Sequence, residues 1–173
     1  LWDWFAQHII DSRDTNNRFD VAGRLNAMFD GVGPFWGNPL GRDIPELPRK
    51  GRARTCSRFA ERRQVENHAK GSFTCWQMAG AGAVGSQVMM VLHRLRQTFA
   101  GDISVWPFEH ATAPIVIAEV WPSLFTGTAP EGMIKDAHQV QALAAYLAGM
   151  DPKVLGALKT ISAPAEGWIL GIA

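Results

Sequence analysis

Two carboxylates stand where the apolar pattern of the chain has no ordinary use for them. Glu119 falls in the alternation Ile115-x-Ile117-x-Glu119-x-Trp121, which places it on one strand face with three large apolar residues. Asp136 precedes Val140, Leu143 and Leu147 at i, i+4, i+7 and i+11, so it heads a core-facing helical stripe. A buried carboxylate is costly unless it is paired, hydrogen-bonded or bound to metal. One acid on a central strand and one on a helix packed over it can converge on a divalent cation. Magnesium takes one or two carboxylates together with water and phosphate oxygens, and a pair of such ions can polarise both oxygens of a phosphodiester cleavage. A third acid beside these two would favour hydrolysis, and two alone would favour binding. Each has a plainer role as well: Glu119 as a strand-end carboxylate held by an Arg or a loop N–H, Asp136 as a helix-start acid favoured by the dipole. His138 would point about 200° away from Asp136 on an ideal helix, and Glu109 and His110 read as turn residues.

Four other strings have chemical uses. Gly80-x-Gly82-x-x-Gly85 follows an expected strand and opens a helix, with Glu109 lying 24 residues beyond Gly85. In a dinucleotide site those glycines give a tight turn and pyrophosphate approach at a helix N-terminus; in a plainer reading they allow close helix–sheet packing. Residues 49–63 carry seven basic side chains opposed only by Glu61. Such a run neutralises phosphates, with Arg62 and Arg63 as candidate phosphate ligands, or it forms a solvated surface. Asn16-Asn17-Arg18 and Phe35-Trp36 offer amide and aromatic contacts for a base, or turn and packing roles.

Positioning these residues requires the following elements. Trp2, Phe5, Ile9 and Ile10 open the chain at near-helical spacing, as though a helix had been entered from an earlier element. A helix is predicted over about 17–29, with Asn16 as N-cap, followed by a Gly/Pro-rich loop over 30–56. A polar helix is predicted over 57–69 and a short strand over 73–78. A helix lined by Val88, Met89, Leu92, Leu95 and Phe99 comes next. Ile103–Phe108 and Pro114–Trp121 read as two strands of a hairpin, with Ile115–Ala118 central and covered. A helix over 134–150 follows, and Asp151-Pro152 is a start signal for another. The order implies a single α/β layered domain over 1–173, the C-terminal part of a longer one.

The composition is 47% apolar and 19% charged, with 7 Trp and 9 Phe, which excludes intrinsic disorder. A formal charge of +1 gives no global attraction to nucleic acid or membrane. No apolar run is long enough to span a bilayer, and two cysteines make no disulfide scaffold. A cytoplasmic protein with reduced thiols is the expectation.

Several strings together resemble an uncharacterised bacterial family. They are Asn16-Asn17-Arg18-Phe19, Gly33-Pro34-Phe35-Trp36-Gly37, Glu61-Arg62-Arg63, Gly82-Ala83-Val84-Gly85-Ser86-Gln87, Trp106-Pro107-Phe108-Glu109, Ala118-Glu119-Val120-Trp121-Pro122-Ser123-Leu124 and the closing Glu166-Gly167-Trp168-Ile169-Leu170-Gly171. That family is similar to a broad group of domains with a ribonuclease H-like fold, some of them named for molybdopterin-guanine dinucleotide or cobalamin biosynthesis. The resemblance implies a mixed sheet flanked by helices, with acids at strand ends and on a C-terminal helix binding Mg²⁺ or Mn²⁺. Glu119 and Asp136 then occupy the strand and helix positions. The first strand of that fold supplies a further Asp, which would lie ahead of Leu1 in a preceding segment or a second chain. The function implied is metal-dependent hydrolysis of a phosphodiester or nucleotide. The alternative is a non-catalytic nucleotide- or dinucleotide-binding accessory protein of cofactor biosynthesis.

Overall fold

The structure, a computed structural model, describes residues 2–12, 15–31, 33–51, 59–69, 71–163 and 165–172. The architecture is mixed α/β, with six α-helices and one two-stranded parallel sheet among the described residues. The chain divides into two compact units, Leu1–Ala100 and Gly101–Ala173.

The first unit contains α1 (Trp2–His8), α2 (Arg18–Asn26), α3 (Gln64–His68) and α4 (Gly85–Thr98). Its core joins Phe5 of α1, Phe19, Val21, Ala22 and Leu25 of α2, and Met89 of α4 with Ile44, Leu47 and Met78. Asn17, not Asn16, is the residue before α2. Its side chain serves the preceding turn rather than the helix, accepting from Ile10 N at 2.8 Å and donating to the His8 carbonyl at 2.9 Å. The helix predicted over 17–29 therefore starts at Arg18, and it stops at Asn26.

Asn26 is fully buried and explains how the Gly/Pro-rich segment is held. Its amide donates to the Phe35 and Glu46 carbonyls at 2.8 and 2.6 Å and accepts from Phe35 N at 2.9 Å. Gly23 of α2 lets the same segment approach: a Cβ there would stand 2.6 Å from the Pro45 carbonyl oxygen. Ile44 and Leu47 are buried against α2, so this segment contributes to the core although it forms no named helix or strand among the described residues. Residues 52–56 of the predicted loop lie outside the described residues.

Two expectations for this unit are corrected. The strand predicted over 73–78 is reduced to a single parallel bridge, Gln77 to Trp36, flanked by Trp36 N to Trp76 O and Met78 N to Trp36 O. Turns at Cys75–Trp76 interrupt the alternation. The helix predicted over 57–69 is only α3, because Arg63 is extended (φ −63°, ψ 156°) where the helix begins; Ser57 and Arg58 lie outside the described residues.

In the second unit β1 (Ile103–Val105) and β2 (Ile115–Ile117) pair in parallel, with Ile103 opposite Ile115 and Val105 opposite Ile117. A hairpin is thus overturned. The intervening polar residues reverse the chain twice instead of once. Glu109 N bonds the Val105 carbonyl and the Glu109 carboxylate takes Val105 N at 3.0 Å, while Ser104 Oγ accepts from Ala113 N. With strands this short the return path is only about 7 Å at 3.3 Å per residue, so no long crossover is needed. The sheet is not covered on both faces either: Ile115 is exposed and Ile117 half-buried.

A 3₁₀ turn (Pro122–Leu124), α5 (Lys135–Ala148) and α6 (Pro152–Leu158) complete this unit. Asp151 caps α6 as anticipated, accepting from Lys153 N at 2.7 Å with Pro152 in the first turn. The closing segment Trp168, Ile169, Leu170 and Ile172 is buried and forms a parallel bridge from Ile169 to Glu119.

Asn26→Ala should lower unfolding free energy by roughly 3 kcal/mol or more, because three backbone groups lose their only side-chain partner. Urea unfolding of both proteins measures the difference. Asp20, in the first turn of α2, is held below the usual carboxylate range mainly by the hydrogen bond from Arg42 at 2.6 Å, against partial desolvation. Its folded value is depressed, so its contribution is complete above the unfolded value and is lost as pH falls through the folded one. Asp20→Asn should therefore be slightly less stable than wild type at neutral pH, with the difference shrinking as acid protonates the Asp20 carboxylate, as thermal melts over a falling pH series will show.

Candidate functional site

Glu119 and Asp136 both belong to the second unit, and both face solvent. The alternation reading placed Glu119 on a buried face. Instead β2 ends at Ile117, and Glu119 meets the closing segment through its backbone, its carbonyl accepting from Leu170 N at 2.9 Å. Asp136 is the second residue of α5, where a carboxylate is favoured by the exposed N–H groups of the helix start. Val140, one turn on, is 66% exposed, and full burial along this helix is reached at Leu143. His138, Gln139 and Ala142 are already half-buried ahead of Leu143, so the packed face is turned from the expected stripe toward these residues, and Asp136 and Val140 lie outside it. That is why Asp136 heads the stripe without entering the core.

Contacts of α5 with the segment after Glu119 link the surroundings of the two acids. Gln139, one turn after Asp136, donates to Ser123 Oγ at 3.4 Å, and Ser123 lies in the 3₁₀ turn four residues after Glu119. Phe125 packs on Tyr146 of α5 at 4.9 Å between ring centres. The start of α5 is therefore fastened to the segment that leaves Glu119. Two exposed carboxylates of this kind can hold a hydrated hard cation and leave its remaining positions to water and phosphate oxygens. Among the described residues no group of three or more His, Cys, Asp or Glu side chains is gathered for a metal.

Arg62, Arg63 and the three glycines lie in the first unit. Arg63 is largely buried and its Nε meets Glu66 Oε1 at 2.9 Å. Arg62 is exposed and donates to the carbonyls of Glu66 and Ser72 at 3.3 and 3.2 Å. The two adjacent arginines are thus unequal: one is committed to a buried carboxylate, the other to carbonyls at the surface. Pattern reading missed that carboxylate. Glu66, 2% exposed, also accepts from Arg63 N and Cys75 N at 3.0 Å each. Its signal was present as an acid at the third helical position, reaching back to the N–H of the residue before the helix, which is one half of a capping box.

Internal packing accounts for the glycines of Gly80-x-Gly82-x-x-Gly85. A Cβ on Gly80 would crowd the Gln77 side-chain amide, one on Gly82 would collide with the Phe73 ring, and one on Gly85 would stand 2.9 Å from the Cys75 carbonyl oxygen. The obstacle at Gly85 is backbone and cannot swing aside. Gly85→Ala should accordingly cost about 1–3 kcal/mol of stability in the ligand-free protein. Glycines kept only for pyrophosphate approach would leave that stability unchanged, and a denaturant titration separates the two. No helix among the described residues is long and apolar enough to cross a membrane. No protein-family model, no curated protein and no solved structure matches the chain.

Proposed function

We propose that the protein binds a nucleotide or phosphodiester through a hydrated Mg²⁺ or Mn²⁺ held by Glu119 and Asp136, in a ribonuclease H-like arrangement of strand acid and helix acid. The observation that carries this reading is that two solvent-facing carboxylates belong to one unit, one just beyond β2 and one in the first turn of α5. The Gln139–Ser123 hydrogen bond fastens their two segments together. Oxygen ligands of this type suit a hard cation, which would supply positive charge to phosphate oxygens. Two carboxylates suffice for one hydrated ion, and in-line cleavage by two ions calls for more oxygen ligands. Binding is therefore the first reading, and it is what an accessory role in molybdopterin or cobalamin cofactor biosynthesis would use. Metal-dependent hydrolysis is the second, favoured by the resemblance to ribonuclease H-like domains that the Ala118–Leu124 string carries. Cytoplasmic residence belongs to the same proposal.

Mn²⁺ should raise the thermal midpoint of the wild type, since a ligand that binds only the native state stabilises it by mass action, about 2.7 kcal/mol at a hundred times Kd. Glu119→Gln and Asp136→Asn should each fold and lose that shift. A shift that survives in both variants, or none in the wild type, refutes the assignment. Incubating the Mn²⁺-loaded protein with nucleotides and oligonucleotides then separates binding from cleavage.

A further inference from the structure

A chain of aromatic rings lies in the first unit. Phe29 meets Phe59 edge-on at 5.1 Å, Phe59 meets Trp76 at 5.4 Å, and Trp76 meets Phe35 edge-on at 5.5 Å. All four side chains are only half-buried, so the cluster is a partly wet aromatic surface and not an interior. Its frame is fixed by polar contacts: Trp76 Nε1 donates to the Ala60 carbonyl and Thr74 Oγ1 to the Glu61 carbonyl.

Two exposed cations sit on chain segments that connect to it. Arg62 follows Phe59 by three residues, and its guanidinium bonds carbonyl oxygens, so its charge is not spent on a carboxylate among the described residues. Lys50 precedes Gly51, whose backbone lies against the Trp36 indole; a Cβ at Gly51 would stand 3.0 Å from that ring. Trp36 in turn is hydrogen-bonded to the Trp76 carbonyl. Both cations belong to the 49–63 stretch, whose basic excess is the largest concentration of one charge in the chain.

We infer that this surface binds single-stranded nucleic acid, with bases stacked on the aromatic rings and phosphates drawn to Lys50 and Arg62. Stacking plus backbone attraction is the combination that single strands require, because every base has a π-face and every linkage a charge. A duplex hides its bases and would gain only the charge term. The inference does not rest on the metal reading, since it involves neither Glu119 nor Asp136.

The test is fluorescence anisotropy of a labelled oligo(dT), in EDTA and over a salt series, with a duplex of the same length as comparison. Wild type should bind the single strand more tightly than the duplex and weaken with salt. Phe59→Leu, which keeps apolar bulk and removes the π-face, should lose affinity roughly tenfold. Lys50→Gln should lower the salt slope by about one. The EDTA present throughout removes any cation from Glu119 and Asp136, which keeps this result separate from the metal site. If Phe59→Leu does not give a cooperative melt, Phe29→Leu replaces it. No binding at low salt, equal binding of the duplex, or a Phe→Leu variant with wild-type affinity overturns the inference.

Discussion

One buried amide organises the first unit. The segment from Gly33 to Gly51 has almost no regular structure, so its backbone groups cannot satisfy one another as they would in a helix or sheet. Buried polar groups must nevertheless find partners. Asn26, at the end of α2, supplies a donor to two carbonyls and an acceptor to one amide, all in the irregular segment. Because those bonds fasten the chain, Ile44 and Leu47 can lie against α2 and close the core around Val21 and Leu25. Asn38 repeats the device on a smaller scale, bonding the Arg42 carbonyl and Leu40 N. Side-chain amides here perform the service that a sheet performs elsewhere.

Charge is treated differently at different depths of this unit. Glu66 and Arg63 form a nearly dry pair, and its persistence depends on the further N–H groups of Arg63 and Cys75 that meet the remaining lone pairs. Arg42–Asp20, Arg49–Asp43 and Arg94–Asp11 lie at the surface, where water screens them. The buried pair therefore constrains the conformation of residues 63–75 far more than the surface pairs constrain theirs. It also determines which of two adjacent arginines remains at the surface.

Local signals were legible. Asp151-Pro152 announces α6 because capping is decided within three residues, and the long apolar stripes announce α4 and α5 for the same reason. Non-local outcomes were not. Alternation in Ile115–Trp121 identifies a strand and its two faces, but it carries no information on which face is covered or in which direction a neighbour runs. With three-residue strands, a short polar connection serves a parallel pair as readily as a hairpin, and the bonds of Glu109 and Ser104 decide between them. Both acids of the candidate site were visible as residues out of pattern. Their exposure was not, because it depends on where β2 ends and on which side of α5 is packed.

The bridge between Glu119 and Ile169 joins residues that are far apart in the chain. Closing so large a loop is entropically slow and must precede any gain from the contacts it makes. During synthesis, the backbone of Glu119 emerges long before the segment that will cover it. Until Trp168–Ile172 has been made, the Glu119 carbonyl lacks its Leu170 N–H donor. This bridge is therefore among the last contacts of the second unit that synthesis allows.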